Sequence, residues 1–216
     1  MIKPIHKHYD THRRTTILYF DNEPDRPIEF YMRGGICWPI RYENPTGQID
    51  NSGYVLMAGQ DVKTGRVMIF EETQWVTIDN ILGDNHVIRY PGLSHWFNKV
   101  WEGYFAQSFY WQQEDELARR FRLQILRSKM IHPKPRFVEV PYSDTSDMIS
   151  CIWTMLKANK LNRASGTVLQ QQLEMVKEGD KQVLPAVHAL GCCLLGFERF
   201  PWREPKEPEI REILVA

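Results

Sequence analysis

Cysteine is scarce in this chain of 216 residues: Cys37, Cys151 and the vicinal pair Cys192-Cys193 are all it has. Their spacing fits neither a disulfide framework nor a CxxC zinc site, so they read as reduced, mostly buried thiols in a reducing compartment. Net charge is lacking too. Lysine plus arginine and aspartate plus glutamate stand at 27 each, leaving no global field to draw the protein onto nucleic acid or an anionic membrane; such binding would need a local patch. No apolar run approaches the roughly 18 residues needed to span a bilayer, and no basic-then-apolar leader opens the sequence. The expectation is a chain without a membrane partner, in the cytoplasm or within a particle assembled there. Also missing are Gly-x-Ser-x-Gly, a Walker loop, GxGxxG and HExxH, so no strong catalytic signature is present.

What is abundant is apolar and aromatic. At 43% hydrophobic and 12% aromatic, the chain can bury a sizeable core, which excludes a disordered class. Its first 90 residues carry strand signals: "TTILYFD", "PIEFYM", "GICWPIRY", "GYVLMAGQDV", "RVMIFEE", "QWVTID" and "HVIRY". Turn material such as "NEPDRP", "RGG", "ENPTGQIDNSG" and "KTG" separates them. In the fifth of these runs Val67, Ile69 and Glu71 alternate with Met68, Phe70 and Glu72, apolar on both sides until the last pair, which predicts a hairpin covered on both faces.

From about Leu93 the period becomes helical. Phe97, Trp101, Tyr104, Ala118, Phe121 and Ile125 predict one long helix or two in succession, with Ser94 as N-cap and Gly103 as the weak point. Prolines flank a short strand at Arg136 to Val140. A capped helix follows with Met148, Ile149, Ile152, Trp153 and Leu156 inward, then helices at about 167–178 and 185–195, the last opening on Pro185 and ending at Gly196. The fold class expected is α+β: an N-terminal antiparallel β-rich sheet or small barrel at 1–92, a mainly helical region packed on it at 93–200, and a proline-rich tail at 201–216.

Three groups of residues carry chemistry worth placing. "MAGQDVKTGRVMIF" resembles the opening of RNase H- and resolvase-like nucleases, in which an aspartate at the end of the first strand is followed by a turn and two more antiparallel strands. The resemblance implies Asp61 as that aspartate, joined by Glu139 and by Asp144 or Asp147, because a pair of divalent ions about 4 Å apart needs several carboxylates. Here the turn is one residue tighter than in the resolvase-like pattern, and the alternative role for Asp61 and Thr64 is to hold a hairpin turn, with Ser143, Asp144 and Asp147 capping a helix. "GYVLMAGQDVKTGRVMIFEETQWVTIDNIL" is also similar in rhythm to WYL-type regulatory domains, which implies an SH3-like barrel. Glu71 and Glu72 stand where those domains place an arginine, so their ligand site does not carry over.

In "HKHYDTH" the residues His6, His8, Asp10 and His12 alternate, and on an extended strand all four face one way with ligand types that suit zinc. In "ARRFRLQILRSKMIHPKPR" the cations Arg119, Arg120, Arg122, Arg127, Lys129, Lys134 and Arg136 gather near Trp96, Trp101, Phe109, Tyr110 and Trp111, a composition able to hold single strands. The bland counterpart is a helix with an aromatic core stripe and a solvated basic face. Balanced charge, abundant rings and the missing catalytic signature together favour a non-enzymatic interaction, adaptor or assembly protein, in the manner of a component of a phage-like particle. It would bind a protein partner or a second copy of itself and need no cofactor. A metal-dependent nuclease with divalent ions, and a nucleic-acid-binding protein using 119–136, are the alternatives.

Overall fold

The sheet is organised around a single run, Glu23 to Glu43, long enough to pair with one strand along one edge and with two in succession along the other. The computed structural model describes residues 4–43, 49–76, 91–106, 108–112, 116–140, 145–162, 167–177 and 184–205. Its strands are β1 (Pro4–Asp10), β2 (Thr15–Phe20), β3 (Glu23–Glu43), β4 (Ile49–Asp61), β5 (Val67–Val76), β6 (Ser108–Trp111), β7 (Arg136–Glu139) and β8 (Leu161–Asn162). The helices are α1 (Pro91–Tyr104), α2 (Glu116–Arg127), α3 (Thr145–Lys157), α4 (Val168–Met175) and α5 (Pro185–Arg199).

The first five strands form an antiparallel meander, and β8 adds in parallel to β5. Beyond the reach of β2, the same edge of β3 takes β6 in parallel, and β6 takes β7 in parallel. The fold is therefore α+β, with a mixed, eight-stranded open sheet. Of the sheet or small barrel expected from the sequence the sheet is what forms, and the barrel implied by the WYL-like rhythm does not: among the described residues β1, β8 and β7 are edges with no pairing that closes a ring. Strands β6, β7 and β8 come from the second half of the chain, which contributes to the sheet as well as covering it.

Helices cover both faces. On one face α1 sends down Trp96, Phe97, Val100 and Tyr104, and α2 sends Ala118 and Ile125, to meet Phe30, Met32, Ile36, Trp38, Val55, Met57 and Phe70. On the other, α3, α4 and α5 bring Ile149, Ile152, Leu169, Leu173, Val187, Leu190 and Leu194 onto Cys37, Tyr54, Leu56, Ala58, Val67 and Ile69. The alternation along β4, Tyr54 to one layer and Val55 to the other, is what a strand buried on both faces requires. Helix α5 lies against β3 and β4 nearly without a polar face, and its N-terminus has no side-chain cap of its own. Gln172 of α4 supplies the acceptor instead, its Oε1 taking the Ala186 N–H at 2.8 Å.

Three sequence expectations change here. "RGG" is not a turn: Gly34 and Gly35 run straight through β3. "SFYW" is a strand, so the predicted long helix becomes α1, β6 and α2; α1 starts at Pro91, ahead of Ser94, and ends beside Gly103, where Phe105 turns to a φ of 57°. A register shift between Met57 and Ala58 leaves Phe70 as a bulge, so Glu71 falls opposite Met57 on the α1 side and not beside Ile69. The expected strand "HVIRY" lies outside the described residues.

Candidate functional site

An open groove of about 920 Å³ runs between α3 and α5. Its α3 wall comes from Asp147, Ser150, Cys151, Thr154 and Met155, residues three and four apart on one helical face. Its α5 wall is Leu194, Leu195, Phe197, Glu198 and Arg199, and Val67 with Gln60 from the β4–β5 hairpin closes one end. Apolar side chains form the floor, while Asp147, Glu198 and Arg199 are exposed at the rim. Cys151 is half-buried there, and burial, aided by the charge of Glu198, pushes its thiol up, which makes it a poor nucleophile. The other thiols, Cys37, Cys192 and Cys193, are free, buried and likewise pushed up by burial.

Asp61 sits at the hairpin adjoining this groove and is fully engaged. Its Oδ1 accepts the N–H groups of Lys63 (2.8 Å) and Thr64 (3.3 Å), and its Oδ2 accepts the Thr64 hydroxyl at 2.6 Å. Gly65 completes the turn with a φ of 69°, a conformation glycine adopts without strain. Glu139 is elsewhere. Asp61 pairs with Phe30, whereas Glu139 pairs with Trp111, which the parallel register sets beside Ile36. Three strand steps and six residues along β3 separate them, on the order of 14 Å across and 20 Å along the sheet. Asp147 is exposed in the first turn of α3, and Asp144 lies outside the described residues. Among the described residues no three Asp, Glu, His or Cys side chains gather as a metal group.

The chain order also departs from the nuclease pattern. Among the described residues one strand, β5, follows β4 antiparallel after Asp61, where the pattern needs two; two such strands, β4 and β5, do follow β3. From Phe30 to Trp38 that strand carries no carboxylate.

His6, His8 and Asp10 do face one way on the edge strand β1, opposite Tyr19, Ile17 and Thr15. His12 has left the strand, and the Asp10 carboxylate is taken up by the turn, accepting the N–H groups of His12 and Arg13, each at 2.9 Å. Of the basic run, Arg119, Arg127, Lys129 and Arg136 are exposed. Arg122 instead lies over the Trp111 ring at 5.5 Å, Lys134 donates to the Ser128 carbonyl, and the Arg120 side chain is outside what is described. The rings nearby are internal: Trp96, Phe109, Tyr110 and Trp111 are buried, and the half-buried Trp101 packs on Phe105. Trp96, Phe109 and Trp111 belong to the α1-side core, whereas Tyr110 packs on the opposite side against Met148 and Cys192.

No family model matches the chain, and no curated protein matches it. Among the described residues no helix is long and apolar enough to cross a membrane.

The groove was not foreseen from sequence. Its signal in the sequence is only the row Asp147, Ser150 and Thr154 beside Cys151 and Met155 on one helical face, and nothing in the sequence says that α3 and α5 stand side by side.

Proposed function

We propose that this chain is a non-enzymatic interaction or assembly component that engages a protein partner, or a second copy of itself, through the groove between α3 and α5. It would act in a cytoplasm or in a particle assembled there. The observation that carries the reading is the groove itself: an apolar floor with a charged rim, between two helices anchored on a sheet, suits an apolar segment presented by another chain. Support comes also from the engagement of the candidate catalytic groups. Asp61 holds a turn, Glu139 stands apart from it, and every thiol is shifted away from its reactive form.

The plan of three antiparallel strands, β3 to β5, followed by two parallel strands reached over helices, β6 and β7, is similar to that of RNase H-like proteins. That similarity is one of fold, and function must be argued from the site. Here the acids of the leading strand, Glu23, Asp25, Glu29 and Glu43, lie towards its ends, and its middle, Phe30 to Trp38, has none.

Light scattering on the purified chain and affinity capture from its native source test the proposal together. Self-association, or a partner competed away by substitutions in the groove, supports it; metal-dependent cleavage of nucleic acid by a monomer that captures nothing refutes it.

A further inference from the structure

Parallel register places Arg33, Ser108 and Arg136 in one row across three adjacent strands. Gly34 pairs with Phe109 and Gly35 with Tyr110, so one residue back Ser108 stands beside Arg33, and Ser108 itself pairs with Arg136. Phe109 and Phe137 pack into the α1-side core, so the row faces the opposite way, towards α5. The two arginines are thus on one face, two strand spacings apart, roughly 10 Å between backbones, with a serine hydroxyl between them.

Arg33 is an unusual cation. Its guanidinium lies 4.2 Å from the Tyr31 ring centroid and 5.2 Å from that of Tyr110, with its Nε buried and without a hydrogen-bond partner. Among the described residues no carboxylate pairs with it. Burial, with the like charge of Arg136 adding to it, lowers its pKa, while Tyr110 and Cys193 oppose the shift. A desolvated charge is ordinarily matched by an opposite one, and the two rings supply only a part of that. Phe200, 45% exposed, stacks on Tyr110 at 5.6 Å and 26° and leaves an aromatic face beside the cations.

We infer that Arg33, Ser108 and Arg136 form a binding site for a phosphate group. Two cations favour a dianion over a carboxylate, the guanidinium fork matches phosphate oxygens, and the serine adds a neutral donor between them. The inference stands apart from the groove reading and does not depend on it.

The test is calorimetric titration of the whole chain with inorganic phosphate against chloride at matched ionic strength, in wild type, Arg33→Gln, Ser108→Ala and Arg136→Gln. Phosphate is expected to bind wild type, with Kd weakened about tenfold or more by either arginine change, the effect of losing a charge-assisted hydrogen bond. Arg136 is exposed, so its variant keeps the experiment decisive even where Arg33→Gln fails to fold. A second arm uses adenosine monophosphate. Tighter binding than inorganic phosphate, lost on Phe200→Ala, assigns a nucleotide source; equal binding assigns free phosphate. No phosphate binding above chloride, or the same Kd in wild type and Arg136→Gln, overturns the site and leaves Arg33 as a structural cation held by its rings.

Discussion

Gly35 of β3 lies directly beneath the Ala189 carbonyl of α5: a Cβ added at Gly35 would come within 1.9 Å of that oxygen. The obstructing atom is backbone, so a side chain cannot be accommodated by a rotamer change. Gly35→Ala is expected to force α5 off the sheet and to cost about 3 kcal/mol, in the upper range for overpacked cores. Chemical denaturation reads this directly. A loss below about 0.5 kcal/mol would mean that α5 does not pack on β3 as described.

The Asp61 turn gives a second prediction. Asp61→Ala removes three acceptor contacts at the hairpin and is expected to cost about 1–2 kcal/mol, while Asp61→Asn, which keeps one acceptor oxygen, costs less. The melting temperature of wild type should be the same with magnesium or with a chelator. A magnesium-dependent stabilisation that Asp61→Asn abolishes would make the carboxylate a metal ligand.

Glu72 faces the α4 side of the sheet, and burial raises its carboxyl above the ordinary value of 4.5, with Tyr54 and Thr167 opposing in part. The folded state then holds the proton more tightly than the unfolded chain, so stability falls as pH rises from 4.5 towards the folded pKa, and the cost remains above it. Glu72→Gln is expected to be neutral or stabilising at pH 7 and to flatten that limb of the curve. Marked destabilisation at pH 7 would show the ionised form to be the one the fold uses.

Much of this architecture was legible in the sequence, and the misreadings have a common cause. The hairpin β4–β5 and the helices α3, α4 and α5 are legible through their period, and Pro185 opens α5 as its place in the sequence implies; the Thr167 cap on α4, through the Gln170 N–H, is seen only in the structure. Local patterning makes Gly34 and Gly35 a turn because glycine breaks strands on average. In this fold they are small so that the Phe109 ring and the Ala189 carbonyl can approach from opposite faces, a tertiary reason invisible to local patterning. Gly196 misled in the same way: it does not end α5, but sits inside it where a Cβ would strike the Tyr110 ring at 2.4 Å. β6 was lost because "SFYW" continues the aromatic density of α1. Without β6, the row of Arg33, Ser108 and Arg136 cannot be assembled from sequence, which shows Arg136 only as part of a basic run. Of the rings set beside the basic run, Trp96, Phe109 and Trp111 are in the core for a related reason: with Trp38, Phe97 and the partly buried Phe137 they pack between the sheet and the two helices α1 and α2.

His188 predicts the acid limit. Burial depresses its pKa from 6.5 to about 4, and its Nδ1 has no partner, so the folded state keeps the ring neutral. Its contribution is fully present above pH 6.5 and is lost progressively as pH falls towards about 4. His188→Leu should flatten the stability curve between those values. An unchanged acid limb would move the proton uptake to other groups.

The groove between α3 and α5 is tested most directly by blocking it from its exposed wall. Ser150 and Thr154 are exposed and line it, so the double change Ser150→Arg and Thr154→Arg fills the groove without touching the core. The stability cost should stay within about 0.5 kcal/mol, the usual range for surface positions with a like-charged pair four residues apart. The decisive measurement is quantitative affinity capture from the native source, wild type against this variant. A partner or second copy retained by wild type and lost from the equally stable variant is the predicted result; retention of the same partners at the same level by both would contradict it.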